Sequence, residues 1–167
     1  MLIRPANESD VPGILAIYNE VIANTTAVYR DSPATEDDRR QWVRSRAEAG
    51  FPVLVGVSDD GILGFASFGE FRAWPCYKYT IEHSIHVRHD HRKTGIGGEL
   101  LQALFPLAVG MGKHVMIAGV DANNATSIQF HKKHGFFEVA HFHEVGFKFG
   151  RWLDLVFLQK WLEPRTS

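Results

Sequence analysis

Seven residues, Arg92-Lys93-Thr94-Gly95-Ile96-Gly97-Gly98, stand between two stretches of different periodicity. Before them, Tyr79 to Val87 is rich in β-branched and aromatic residues, a strand pattern. After them, Glu99-Leu100-Leu101-Gln102-Ala103-Leu104 repeats its apolar residues at helical spacing. A strand must therefore turn into a helix through glycines, which let the backbone come close to a ligand without a Cβ collision. The first helical turn leaves amides without partners at the positive end of the helix dipole. An anion suits that mouth and a diphosphate suits it best, with Arg92 and Lys93 adding charge. Two well-known phosphate motifs do not fit. The P-loop needs Lys-Ser or Lys-Thr after its second glycine, whereas Lys93-Thr94 precedes the glycines, and the dinucleotide fingerprint needs a third glycine where Leu100 stands.

The rest of the chain predicts a mixed α+β order within one domain spanning residues 1–167. Residues 2–4 read as a first strand. Ser9 or Asp10 is placed to cap a helix whose stripe is Val11, Ile14, Leu15, Tyr18, Val21 and Ile22. The polar loop Asn24-Thr25-Thr26 follows. Thr35 and Asp38 have capping-box spacing for a second helix that stops at Gly50, and its charged residues read as an exposed face. Residues 52–57 and 62–68 form a hairpin about Asp59-Asp60-Gly61. Pro106 is expected to kink or break the helix after the glycines, between Phe105 and Gly110. A strand over 114–120, a short helix from Ala125 to His134 and two closing strands, 137–147 and 152–161, complete the chain, the last two separated by a loop framed by Gly146 and Gly150.

Composition excludes several classes. With 18 Lys+Arg against 19 Asp+Glu there is no global basic field for nucleic acid. No apolar run approaches the ~20 residues of a membrane span, and the first residues lack a signal-peptide core. One cysteine, Cys76, cannot form an internal disulfide and suits a reducing compartment, so the cytoplasm is expected. Nine histidines occur without H-E-x-x-H or Cys/His pairing, and no metal is expected.

A second block, Asn124-Ala125-Thr126-Ser127-Ile128-Gln129-Phe130-His131-Lys132-Lys133-His134-Gly135-Phe136, fits N-x-x-[SA]-x-x-x-[YH]-x-x-x-G-F, and the glycine turn fits [RQ]-x-x-G-x-G. Together they resemble the GNAT superfamily of N-acetyltransferases. The resemblance implies a mostly antiparallel sheet of six to seven strands, splayed at its centre and flanked by about four helices. It implies acetyl-CoA as co-substrate. Ile85, His86 and Val87 would pair with pantetheine, Arg92, Lys93, Thr94, Gly95, Ile96, Gly97 and Gly98 would hold the pyrophosphate, Asn124 would bond near the thioester, and Lys133 would reach a phosphate. In such folds the loop after the first helix, here Asn24 to Thr26, often admits substrate. Asn124 also has the chemistry of a helix cap.

Acetyl transfer to an amine needs a base, because an ammonium has no lone pair. Glu82 shares a strand face with Ser84 and His86, and a carboxylate in a largely apolar strand should have its pKa raised by desolvation, as a base near neutrality requires. His131 fills a position where many GNAT members carry a tyrosine general acid, and it is a candidate to donate a proton or position the amine. A nearer resemblance, carried by Asn24-Thr25-Thr26-Ala27, Gly69 to Trp74, Thr80 to Ser84 and Lys148-Phe149-Gly150-Arg151-Trp152-Leu153-Asp154, is to the phosphinothricin and methionine sulfone/sulfoximine acetyltransferase branch. It implies a small amino-acid-like substrate, with Arg72 gripping the carboxylate, Trp74, Pro75 and Cys76 walling the side chain, and a homodimer to which the aromatic tail contributes. The alternatives are a protein N-terminal or lysine acetyltransferase, which needs an open acidic groove, and a non-catalytic acyl-CoA sensor, which does not need Glu82.

Overall fold

The computed structural model describes residues 1–163. Seven strands form one sheet: β1 (Leu2–Pro5), β2 (Val53–Ser58), β3 (Gly61–Glu70), β4 (Thr80–Val87), β5 (Val115–Asp121), β6 (Phe137–Lys148) and β7 (Arg151–Trp161). Four helices flank it: α1 (Val11–Asn24), α2 (Glu36–Glu48), α3 (Ile96–Gly110) and α4 (Ala125–Lys133). The strand order is β1-β2-β3-β4-β5-β7-β6. Every neighbouring pair is antiparallel except β4 and β5.

That parallel pair is where the sheet opens. β4 and β5 pair only from Thr80–Val115 to Glu82–Ile117. Beyond Glu82, β4 stays paired with β3 as far as Val87, while β5 stays paired with β7 as far as Asp121. The sheet is therefore two half-sheets joined by three residue pairs, with a wedge between them.

Alternation along β2 and β3 gives that half-sheet two buried faces. Val53, Val55 and Phe65 pack against Val11, Ile14 and Ile17 of α1 and Val43 of α2. Leu54, Ala66 and Phe68 pack on the opposite side against Leu100, Leu101, Leu104 and Ala108 of α3. Those three leucines are wholly buried, each contributing about 1.5–3 kcal/mol.

Four local expectations change. Asp10 stands at the N-cap position of α1 but makes no side-chain cap bond to it; the side-chain cap lies one turn earlier, on the 3-10 turn Glu8–Asp10, where Asn7 accepts from the Ser9 amide and Asp10 closes a capping box while pairing with Arg4 at 2.7 Å. The buried stripe of α1 includes Ile17, and Leu15 is only partly buried. Pro106 does not end α3, which continues to Gly110. The carbonyl deprived of its bond belongs to Gln102, four residues back, and Gln102 and Pro106 both face solvent, where water can serve that carbonyl. Finally, Gly146 lies within β6, and the turn to β7 is only Phe149-Gly150, both left-handed (φ 53° and 73°) as a tight hairpin requires. The capping box of Thr35 and Asp38 is present as expected. No helix among the described residues is long and apolar enough to cross a membrane.

Candidate active site

The wedge between β4 and β5 opens into a cavity of about 1120 Å³ that passes from the α3–α4 side of the sheet to the α1–α2 side. Its mouth on the first side is the start of α3. Gly95 has φ 97° and Lys93 φ 66°, so the chain alternates hand and turns its amides inward. The main-chain amides from Lys93 to Gly97 find no acceptor among the described residues, whereas those of Gly98 and Glu99 bond to the Gly95 carbonyl. This is a cradle of unpartnered donors at a helix dipole's positive end, shaped for phosphate oxygens. Lys93 and Lys133 line the same mouth without an ion pair among the described residues. Arg92 also lines it, but is tied to Glu20 and to the Val87 carbonyl. Thr94 and Ile96 contribute through backbone only: the Thr94 hydroxyl donates to the His91 carbonyl at 2.6 Å, and the Ile96 side chain is in the core.

Further in, Ile85, His86 and Val87 line the cavity on a strand edge with no neighbour on the β5 side. Their backbone groups need partners there, and an amide-bearing chain threaded along the wedge would supply them. Asn124 lines the opposite wall and caps α4, accepting from the Ser127 amide at 3.0 Å, which leaves its side-chain NH₂ free to donate.

At the α1–α2 end stands Glu82. Burial pushes its pKa up, opposed by the positive charge of Arg72. It accepts no hydrogen bond among the described residues, so its carboxylate is available. Gly119 of β5 faces it closely; a Cβ there would lie 3.1 Å from Glu82 Oε1.

Burial favours the neutral form of three histidines at the cavity. Burial lowers His83 to about 3 and His86 to about 4, and it lowers His131 as well. His131 Nδ1 lies 2.7 Å from the Ser127 carbonyl, which can only accept, so Nδ1 carries the ring's proton. Nε2 is then a bare lone pair, and it is buried without a partner among His83, Phe130 and Phe136. A ring in that tautomer has no proton to give into the cavity. This departs from the expectation of a proton donor and suits a packing role.

The matching family model, the acetyltransferase (GNAT) family, covers residues 14–136. The chain belongs to the GNAT acetyltransferases. It is 45% identical over 166 residues to the L-methionine sulfoximine/L-methionine sulfone acetyltransferase of Pseudomonas aeruginosa, covering 99% of this chain and 96% of that one. Its fold superposes with TM-score 0.94 on a Salmonella typhimurium putative acetyltransferase solved with acetyl-CoA, 40% identical and covering 99% and 96% of the two chains. It superposes equally, also at 0.94, on a ribosomal-protein-alanine N-acetyltransferase from Brucella melitensis, 43% identical, covering 96% and 99%. The fold is thus a GNAT fold, the chain an acetyltransferase, and its donor acetyl-CoA. The orphaned amides at Lys93–Gly97 and the open edge of β4 fit the diphosphate and the amides of that donor.

The structure sets the expected substrate residues outside the cavity and brings others into it. Arg72, Trp74, Pro75 and Cys76 lie on the segment between β3 and β4, are exposed, and do not line the cavity; Trp74 is 74% exposed. The Arg72 guanidinium sits 5.1 Å from the Phe71 ring centre. Conversely, Arg39 of α2, read as part of a solvated face, lines the cavity over the rings of Tyr18 (4.1 Å) and Trp42 (5.1 Å). Trp42 three residues on was the available signal, since i and i+3 share a helix face. Thr25, Ala27 and Val28 line the same cavity as Glu82, where the loop after α1 was expected to matter.

Proposed function

We propose that this GNAT enzyme transfers acetyl from acetyl-CoA to the α-amine of a small amino-acid analogue of the methionine sulfoximine, methionine sulfone or phosphinothricin type. One observation carries the reading: the desolvated carboxylate of Glu82 lies in the same cavity as the unpartnered amides of Lys93–Gly97, at its far end. Acetyl-CoA supplies the thioester. Glu82, directly or through a water, takes a proton from the incoming ammonium, and the freed nitrogen attacks the thioester carbonyl carbon. The carbon–sulfur bond breaks as the amide forms, and the nitrogen's second proton leaves to water or to the departing thiolate. A strand amide near Val87 is placed to meet charge building on the carbonyl oxygen. The thiolate needs no protein acid, because a thiol of pKa ~8.5 leaves readily as the anion. That agrees with the tautomer of His131.

In this reading Ile85 to Val87 align the pantetheine arm, Asn124 bonds near the thioester, and Lys133 meets a phosphate. Arg72 reads the substrate carboxylate, and Trp74, Pro75 and Cys76, exposed and off the cavity in one chain, wall the side chain once a second copy covers them; Phe147, Phe149 and Trp152 are exposed on the β6–β7 hairpin. Such apolar exposure supports a homodimer. A single cysteine and this donor support a cytoplasmic setting. The likeness to a ribosomal-protein-alanine acetyltransferase favours a second reading, a protein N-terminus as acceptor.

Thiol release from acetyl-CoA against a panel of amino acids and short peptides tests the choice. Oxidised methionine, methionine sulfoximine and phosphinothricin should turn over, and amidating the substrate carboxylate should slow them. Equal rates on free and amidated forms remove Arg72's role, and turnover of peptides alone selects the second reading.

A further inference from the structure

Lys148, the last residue of β6, is only 4% exposed, yet makes no ion pair among the described residues. Its ammonium has three donors and meets three main-chain carbonyls: Ile22 at 2.7 Å, Thr25 at 2.7 Å and Val28 at 2.8 Å. The first belongs to the last turn of α1 and the other two to the loop beyond it. Its donor capacity is met in full by a segment more than a hundred residues away in sequence.

The same loop has two further anchors on that side of the sheet. The Thr26 hydroxyl donates to Asp121 at the end of β5, at 2.5 Å. The Tyr29 hydroxyl donates to the Asp154 carbonyl of β7 at 3.0 Å, with its ring against Gly146 of β6. The body of α1, however, packs on the other half-sheet, against Val53, Val55 and Phe65. Residues 25–29 therefore run as a strap over the wedge, from one half-sheet to the other. Thr25, Ala27 and Val28 of that strap wall the cavity in which Glu82 stands.

We propose that Lys148 is a positioning residue for acetyl transfer, whose ammonium fixes the strap 25–29 and so sets the amine side of the cavity without touching the donor's mouth. The proposal rests on the amine-acetylating reading above. A carbonyl oxygen accepts and cannot donate, so only a cation or a multiple donor can hold three of them at one point, and a carboxylate partner would draw the ammonium away. Without it, Ile22, Thr25 and Val28 keep carbonyls aimed at an empty centre, and the strap moves to serve them from water. The main-chain amides of the donor mouth at Lys93–Gly97 take no part in these bonds.

The test compares the full-length wild-type chain with Lys148→Met and with Gly146→Ala. The second disturbs the strap's other anchor, because its Cβ would lie 2.5 Å from the Tyr29 ring, and it leaves Lys148 intact. Steady-state kinetics with methionine sulfoximine, calorimetric titration with acetyl-CoA and amide hydrogen exchange are measured on each. The expected result for Lys148→Met is an amine KM raised tenfold or more, an acetyl-CoA Kd within twofold of wild type, and faster exchange confined to residues 22–29. Gly146→Ala should shift KM in the same direction by a smaller factor, and it carries the test if the methionine variant does not fold. An unchanged amine KM, or equal losses in amine KM and acetyl-CoA affinity, would overturn the proposal. A wild-type chain inactive on all amines would instead defeat the functional reading. Unaltered exchange at 22–29 in Lys148→Met would still overturn the strap by itself.

Discussion

Replacing Gly119 by alanine should slow acetyl transfer without unfolding the protein. Gly119 is an exposed residue of β5 whose φ alanine adopts freely, and the added Cβ would lie 3.1 Å from Glu82 Oε1, 3.3 Å from Phe157 Cε1 and 3.5 Å from Leu155 Cδ1. The softest of these neighbours is the Glu82 carboxylate, which no hydrogen bond restrains, so it retreats by a few tenths of an ångström. A displacement of ~1 Å in a catalytic group costs on the order of a hundredfold, so a few tenths cost roughly three- to tenfold in kcat/KM. Stability should change little, because alanine in a strand gains about 0.5–1 kcal/mol over glycine and the tight contact takes back a similar amount. Removing the base outright with Glu82→Gln should cost about 10²–10⁴. The decisive assay is the double variant, measured by thiol release with the acetyl-CoA affinity as control. If the methyl acts through Glu82, Glu82→Gln/Gly119→Ala is no slower than Glu82→Gln alone. Additive losses would show that the methyl obstructs the ligand instead, and full activity in Gly119→Ala with an intact melting temperature would refute the assignment of Glu82 as base.

Three further outcomes are expected. The positive charge of Arg72 favours the ionised form of Glu82, so Arg72→Gln should move the acidic limb of kcat/KM to higher pH, read with an amidated substrate that has no carboxylate for Arg72 to bind; an unmoved limb would separate the two residues. His86 is buried with its pKa lowered from 6.5 to about 4, so the unfolded chain binds the extra proton first and stability is lost as pH falls below 6.5. Between pH 6.5 and 5 that loss is about 2 kcal/mol for this group, and urea denaturation at pH 7 and 5 should show a smaller difference in His86→Phe than in wild type. Trp152→Asp places a charge on the exposed aromatic face of β7 and should convert the proposed dimer to monomer by light scattering; a wild-type monomer would refute the interface.

What the sequence made legible is local. The glycines between a strand and a helix, the capping box of Thr35, the Asp59–Gly61 hairpin and the Asn124 cap each depend on residues within a few positions of one another, and each is in place. Glu82 stands out as a candidate base in the sequence because a carboxylate on an apolar strand is costly wherever the strand lies, and in the structure it lines the cavity with its pKa raised by burial. Other features depend on residues far apart in the chain. The charge of Arg39 looks solvated until Tyr18 of another helix arrives beneath it, and Lys148 looks like a surface lysine until Ile22, Thr25 and Val28 present their carbonyls. Pro106 misled because the rule concerns one carbonyl, and whether water reaches the carbonyl of Gln102 depends on which face of α3 the core covers. The exposure of Arg72 and Trp74 was equally out of reach, since a segment's composition does not say whether it closes over its own cavity or waits for another chain.

The parting of β4 from β5 creates a hazard as well as a site. Beyond Glu82 and Ile117 the two inner borders no longer pair with one another and leave main-chain groups facing the wedge. A pantetheine arm, with its two amides, would resemble a short peptide there and would restore the ladder as a substitute strand. An extended peptide of suitable width could compete for the same berth, so keeping the donor bound also keeps the fold from recruiting the wrong chain.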